Sequence, residues 1–162
     1  IYKFYMSHNY INIYNNLIKL TRNKNLYKKI TNNDSFSDRL VIFLIHFAFF
    51  LKNYKTHISK NELQNIYDFI FRQIELSIRE IGYGDASINA KMKKFLNLFH
   101  LILDKVERWD QISISKKKDF LSDNLNFQSE LDYLIKYIDK YIIYLSNNTL
   151  NYFSKDVISL KF

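Results

Sequence analysis

Four histidines, His8, His46, His57 and His100, are the only imidazoles in the chain. No two of them stand at the four-residue spacing with which a helix presents an H-E-x-x-H metal pair. There is no cysteine, so disulfides, thiolate nucleophiles and sulfur ligands for zinc or an iron–sulfur cluster are excluded together. A nucleophile elbow, G-x-S-x-G, needs glycines that the chain lacks around its serines. Carboxylates alternate with bases instead of pairing with one another, so no acid/base dyad is marked. These residues predict neither an enzyme nor a metal or cofactor site. His46 lies in the most apolar segment and His100 on an apolar helix face, and both read as hydrogen-bonded core residues.

One constellation stands apart. Both glycines of the chain, Gly82 and Gly84, fall within the stretch Arg79-Glu80-Ile81-Gly82-Tyr83-Gly84-Asp85. Glycine permits a positive φ, so the pair predicts a corner that ends one long helix and turns into the next, with Asp85 or Ser87 capping the second. Around this corner gather Arg79, Glu80, Asp85, Lys91, Lys93 and Lys94. That charge is more than a turn requires, and it makes the corner the candidate partner-binding patch.

The elements that must hold this corner are helices. Leu63, Ile66, Ile70, Ile74, Ile78 and Ile81 recur at three and four residues, with Ser59 and Glu62 as a capping box at the start. Asp68, Arg72, Glu75 and Arg79 form an acid-before-base ladder on the far side. A second stripe, Ile88, Met92, Phe95, Phe99, Ile102 and Val106, sets the lysine cluster opposite. A third joins Phe127, Leu131, Leu134, Ile138, Ile142 and Leu145, with Tyr133, Tyr137, Tyr141 and Tyr144 packed along another side. Leu40 to Leu51 is apolar all round, as a central helix is; at twelve residues it falls short of the roughly twenty needed to cross a bilayer. Ser35 or Ser37 caps it, after a turn at Asn32, Asn33 and Asp34. Shorter helices are expected over residues 9–21, 23–31 and 115–124, and a tail carrying Phe153, Val157, Ile158, Leu160 and Phe162 across the core. The expected fold is all-α, one bundle-like domain of six to eight helices over residues 1–162.

Composition agrees. With 48% hydrophobic residues, 14 Phe, 13 Tyr and no Pro, the chain of 162 residues has ample material for one core and none for proline-rich linkers. It opens on Ile1 instead of Met, as a processed or excerpted segment does. Of the net charge of +8, six units lie in residues 1–33, where Lys3, Lys19, Arg22, Lys24, Lys28 and Lys29 meet no acid. Such a surface suits an anionic membrane or a polyanion. A basic RNA-binding module using Lys19 to Lys29 is one function it allows, and a scaffold subunit of a larger assembly is another.

The corner also resembles a family. Residues 79–85 followed by Lys91-Met92-Lys93-Lys94 are similar to the L-R-E-M-G-V-G-D…K-x-M-K-K signature of the ubiquinol–cytochrome c chaperone family. Asp68, Arg72 and Glu75 match the pattern leading into it. Arg39 and His46 match a G-R-F-D-x-x-x-L-H stretch, and Arg22 and Tyr27 an A-R-x-x-x-F-Y stretch. The match covers about residues 14–100 in order. Asp38, Leu40 and Val41 depart from it, as do His100, Leu101 and Ile102. The resemblance implies a helical assembly factor without a cofactor that binds newly made cytochrome b while the ubiquinol–cytochrome c reductase, respiratory complex III, is built. It further implies a small helical partner, peripheral contact with the inner membrane and the ribosome, and no DNA. Its expected location is the matrix side of the mitochondrial inner membrane, or the cytoplasmic face of an alphaproteobacterial one.

Overall fold

A helix that is apolar on every side can be stable in water only if other elements cover all of it. The computed structural model, which describes residues 2–26, 35–125, 130–156 and 158–160, with side chains from Tyr10 onward, is organised around such a helix. In chain order the elements are α1 (Tyr2–Thr21), α2 (Phe36–Tyr54), α3 (Lys60–Glu80), α4 (Asp85–Glu107), a 3-10 turn (Trp109–Gln111), α5 (Ile114–Asn124), α6 (Leu131–Ser146) and the short α7 (Leu150–Phe153). Residues 24–26 are helical as well, and among the described residues there is no strand. The fold is all-α, and the seven helices among the described residues fall within the expected six to eight; the first starts at Tyr2 instead of residue 9, Leu150–Phe153 is helical where a tail is expected, and most of the helix expected over 23–31 lies outside the described residues. Tyr27, the turn at Asn32 to Asp34, Phe127, Val157 and Phe162 lie outside the described residues.

Local chemistry sets the helix starts. Ser35 caps α2, accepting from the Asp38 amide at 3.2 Å, and Ser59 caps α3 by accepting from that of Glu62 at 3.1 Å. Ser113 and Thr149 do the same for α5 and α7, through Lys116 and Tyr152. Each such cap satisfies one of the amides that a helix start leaves without a partner and contributes about 1 kcal/mol.

Every residue from Leu40 to Leu51 on α2 is buried. It packs against α1, α4 and α6, while α1 also meets α3 and α7. Phe47 stacks on Phe99 of α4 with ring centroids 5.3 Å apart, and Phe50 meets Phe153 of α7 at 5.1 Å. Trp109, just after α4, lies edge-on to Phe49 at 5.4 Å. At its far end α2 is tied to the end of α4 by Lys55 with Glu107, and to the 3-10 turn by Lys52 with Asp110 at 2.8 Å. The tail crosses the core as expected, with Phe153 and Ile158 buried. Asn16 of α1 fixes it, donating to the carbonyls of Phe153 at 2.8 Å and Lys155 at 2.9 Å, and Asn12 adds a bond to that of Ser154 at 3.0 Å.

His46 is a core residue. Its Nδ1–H donates to the Ile42 carbonyl at 2.8 Å, which leaves Nε2 to accept from the Tyr137 hydroxyl at 2.7 Å. Tyr141 donates to the His46 carbonyl at 3.0 Å and Tyr144 to that of Ser159 at 2.7 Å, so Tyr137, Tyr141 and Tyr144 of α6 are buried packing with their polar ends satisfied, while Tyr133 is half-buried. His100 differs from expectation. It is exposed on α4 and its ring nitrogen meets the Tyr67 hydroxyl at 3.3 Å, because its position falls on the rim of the α3–α4 contact and not beneath it.

Burial pushes the His46 imidazole down to about 4, desolvation of the charged ring outweighing the bond to Ile42 that favours it. A base whose folded pKa is depressed binds fewer protons than the unfolded chain, so the stability it contributes is complete above pH 6.5 and disappears as pH falls from 6.5 toward 4. The loss amounts to about 3 kcal/mol by linkage. His46→Gln keeps a donor and an acceptor but cannot take up a proton. Urea midpoints measured at neutral pH and near pH 4.5 will therefore fall more steeply for the parent than for this variant.

Candidate functional site

The corner between α3 and α4 forms as its glycines predict, but only one of them needs to be glycine. α3 ends at Glu80; the Ile81 amide bonds back to Ile78 at 3.2 Å and that of Gly82 to Arg79 at 3.0 Å, and Gly82 then takes φ +98°. This is the left-handed residue that closes a helix. Gly84 has φ −69° and ψ 158°, ordinary extended backbone, and is itself the N-cap of α4 without a side-chain cap bond. Neither Asp85 nor Ser87 is the cap, a correction to the sequence reading: Asp85 is already in the first turn, where its carboxylate favours the positive helix end.

Asp85 instead faces backward to Arg79, whose guanidinium bonds it at 2.7 Å and Glu75 at 2.9 Å. The two acids hold the guanidinium pKa above its usual value, Asp85 most strongly. The ion triad sits in solvent, with the Asp85 side chain 88% exposed, so it contributes little to stability and displays charge. Tyr83 projects from the turn, 42% exposed, and the Lys91 ammonium rests over its ring, 4.3 Å from the centroid, which adds a solvent-facing cation–aromatic pair. Glu80, Lys93 and Lys94 are exposed on either side. The ladder upstream forms only in part: Glu75 meets Arg79, whereas Asp68 accepts from Gln64 at 2.8 Å and Arg72 is exposed.

Beside the corner α1, α2 and α3 enclose a groove of about 310 Å³. Its floor is buried and apolar, made by Leu40 and Phe43 of α2 and Ile74 of α3. Tyr14, Ile18 and Ser77 form half-buried walls, and Arg22, Arg39 and Glu80 stand exposed at the rim with Phe36 and Ile81. Ile81 closes the α3 stripe in the sequence but is 50% exposed here, since α3 stops one residue before it and the chain turns. Arg22, Arg39 and Glu80 come from the three separate stretches singled out in the sequence, and the groove is where they meet. His46, Asp68 and Arg72 are elsewhere. No spacing within a single helix signals the groove, because its walls come from three.

Among the described residues no group of three His, Asp or Glu side chains is placed to hold a metal ion, and no helix is long and apolar enough to cross a membrane. The chemistry within reach is recognition: paired charges, an aromatic face and an apolar cleft. The profile of the ubiquinol–cytochrome c chaperones matches residues 28–153, so the match continues through α4, α5 and α6 well past the motifs. The chain belongs to this family, and with it to chaperones of complex III assembly. No curated protein and no solved structure matches the chain.

The two glycines separate in a stability test. A β-carbon at either position meets nothing within 4 Å, so only backbone strain distinguishes them. Gly82→Val will cost about 1–3 kcal/mol by forcing a β-branched residue into the left-handed region, whereas Gly84→Val will stay within about 1 kcal/mol of the parent. Thermal unfolding of the two variants side by side checks the order.

Proposed function

We propose that the protein holds newly made cytochrome b during assembly of complex III, and that the corner from Arg79 to Asp85, with Lys91, Lys93 and Lys94, is the face turned to the client or to a small helical partner. The observation that carries this reading is the exposure of the corner. Its ion triad, its cation-covered tyrosine and its two free-standing lysines all project into solvent, where charge does little for the fold. A membrane protein not yet in its complex presents apolar helices and charged loops. A surface offering Tyr83, Leu76 and Ile81 between charges of both signs complements such a client, since aromatic and arginine anchors carry most interface energy. A chaperone of this kind needs no catalytic group, and the membrane complex it serves places its work at the mitochondrial inner membrane, matrix side, or at the cytoplasmic face of a bacterial one.

The test is genetic and biochemical. Tagged protein should recover cytochrome b from its native membrane fraction, and a strain without it should lose assembled complex III. Arg79→Ala and Asp85→Ala are expected to unfold within about 0.5 kcal/mol of the parent, because the pair is exposed, and yet to recover less cytochrome b. Equal recovery by parent and both variants moves the client surface away from the corner, and complex III at its normal level in the deleted strain removes the proposed function.

A further inference from the structure

The groove shares Glu80 and Ile81 with the corner, but its floor and its two arginines have a chemistry of their own. We infer that it binds one anionic lipid of a bilayer, the acyl chain on the floor and the phosphate headgroup at the two arginines. The inference is independent of which protein the chaperone holds.

The floor asks for a guest without hydrogen-bonding groups. Leu40, Phe43 and Ile74 are each under 7% exposed and present only carbon. The hydroxyls on the walls are engaged among themselves or locally: that of Thr21 donates to the Leu17 carbonyl at 3.0 Å, that of Ser77 to the Gln73 carbonyl at 3.0 Å, and that of Tyr14 lies 3.4 Å from that of Ser77. A peptide segment laid here would bring amides and carbonyls that find no partner on the floor, and each group left bare costs its lost hydration. An acyl chain brings none.

The rim asks for an anion. Arg22 follows the last residue of α1 and Arg39 lies in the first turn of α2, so two guanidiniums from distant parts of the chain border one opening, and a guanidinium matches a phosphate in bidentate geometry. Among the described residues that line the groove, Glu80 on α3 is the single acid. Lys19 and Lys24, both exposed, extend the positive field along the same stretch of chain, which carries no acid before Asp34.

A bilayer, instead of a dissolved anion, is indicated by what stands between the charges. Phe36 and Ile81 are 37% and 50% exposed at the mouth, and Leu76, 45% exposed, lies one helical turn before Glu80. Large apolar side chains held in water beside arginines form the mixed surface that settles into the headgroup boundary, their carbons entering the acyl region while the guanidiniums stay with phosphate. In that position an acyl chain can leave the leaflet for the groove without crossing water.

Flotation of the full chain with vesicles tests the assignment. Vesicles of phosphatidylcholine mixed with phosphatidylglycerol should carry the protein at low salt, and vesicles of phosphatidylcholine alone should carry far less. Arg22→Glu should lower binding to the mixed vesicles at least about fivefold, the factor associated with one surface cation. The equal charge change Lys136→Glu, on the exposed side of α6, should lower it less. Ile81→Ser leaves the charge untouched and should also weaken binding, and it protects the test if an arginine variant folds poorly. Lysophosphatidylglycerol below its micelle concentration should compete, and glycerol phosphate should not. Equal losses for Arg22→Glu and Lys136→Glu, or full binding by Ile81→Ser, would reduce the effect to bulk charge and overturn the site. Competition by glycerol phosphate would make it a plain anion site, and equal binding to neutral vesicles would remove the headgroup contact; either result overturns the inference. Recovery of cytochrome b by Arg79→Ala and Asp85→Ala, whose side chains do not line the groove, reports on the proposed function separately.

Discussion

The structure depends on hiding α2. Twelve consecutive residues, Leu40 to Leu51, are apolar apart from His46, and all are buried. At about 25 cal/mol per Å² of apolar surface, a helix of this composition has no stable place except one covered on all sides. The remaining elements are arranged to supply that cover. α1, α4 and α6 pack directly on it, and the tail closes the last gap with Phe153. The stripes on α4 and α6 exist because each needs only one apolar face to contribute, while its other face meets water.

An interior built this way has little to fix how the helices register, since phenylalanine and isoleucine tolerate sliding. The few buried polar groups provide it. His46 spans from its own backbone at Ile42 to Tyr137 on α6, and Tyr141 reaches back to the His46 carbonyl. Asn16 and Asn12 together hold three carbonyls of the tail against α1. Each bond is directional, and a shifted helix would leave its partners buried and unpaired, which costs more than the bond itself contributes.

Charge follows the opposite rule and stays at the surface, except for Asp38, which is buried at the start of α2 and accepts from the Ser35 hydroxyl at 2.8 Å. The ion triad at Arg79, the lysines of α4 and the arginines at the groove all lie where they can act on another molecule. They sit at one end of the α3–α4 hairpin, beside the groove that α1 completes. A chaperone for a membrane complex has two things to recognise, a client with apolar helices and the bilayer from which that client cannot stray. Under the two proposals, the mixed-charge corner would serve the first and the cationic cleft beside it the second, with Glu80 and Ile81 at their shared edge.

Much of this was legible in the residues alone. The apolar stripes of α3, α4 and α6, the Ser35 and Ser59 caps and the burial of His46 follow from spacing and local chemistry, because helix periodicity and capping act over three or four residues. The exceptions lie where an outcome depends on distant parts of the chain. Ile81 continues a stripe by spacing but is exposed by the turn at Gly82, and His100 shares a helix with core residues but falls outside the contact with α3. Gly84 looks like a conformational requirement and is an ordinary extended residue. The groove is the largest such case. Arg22, Arg39 and Glu80 could be marked individually, but their meeting at one opening is set by the angles at which three helices cross, and those angles are fixed by side-chain packing over the whole of α2. The sequence determined which faces had to be buried and where the helices start and stop. The tertiary packing alone decided which charges became neighbours, since that is a property of long-range contacts and carries no local period.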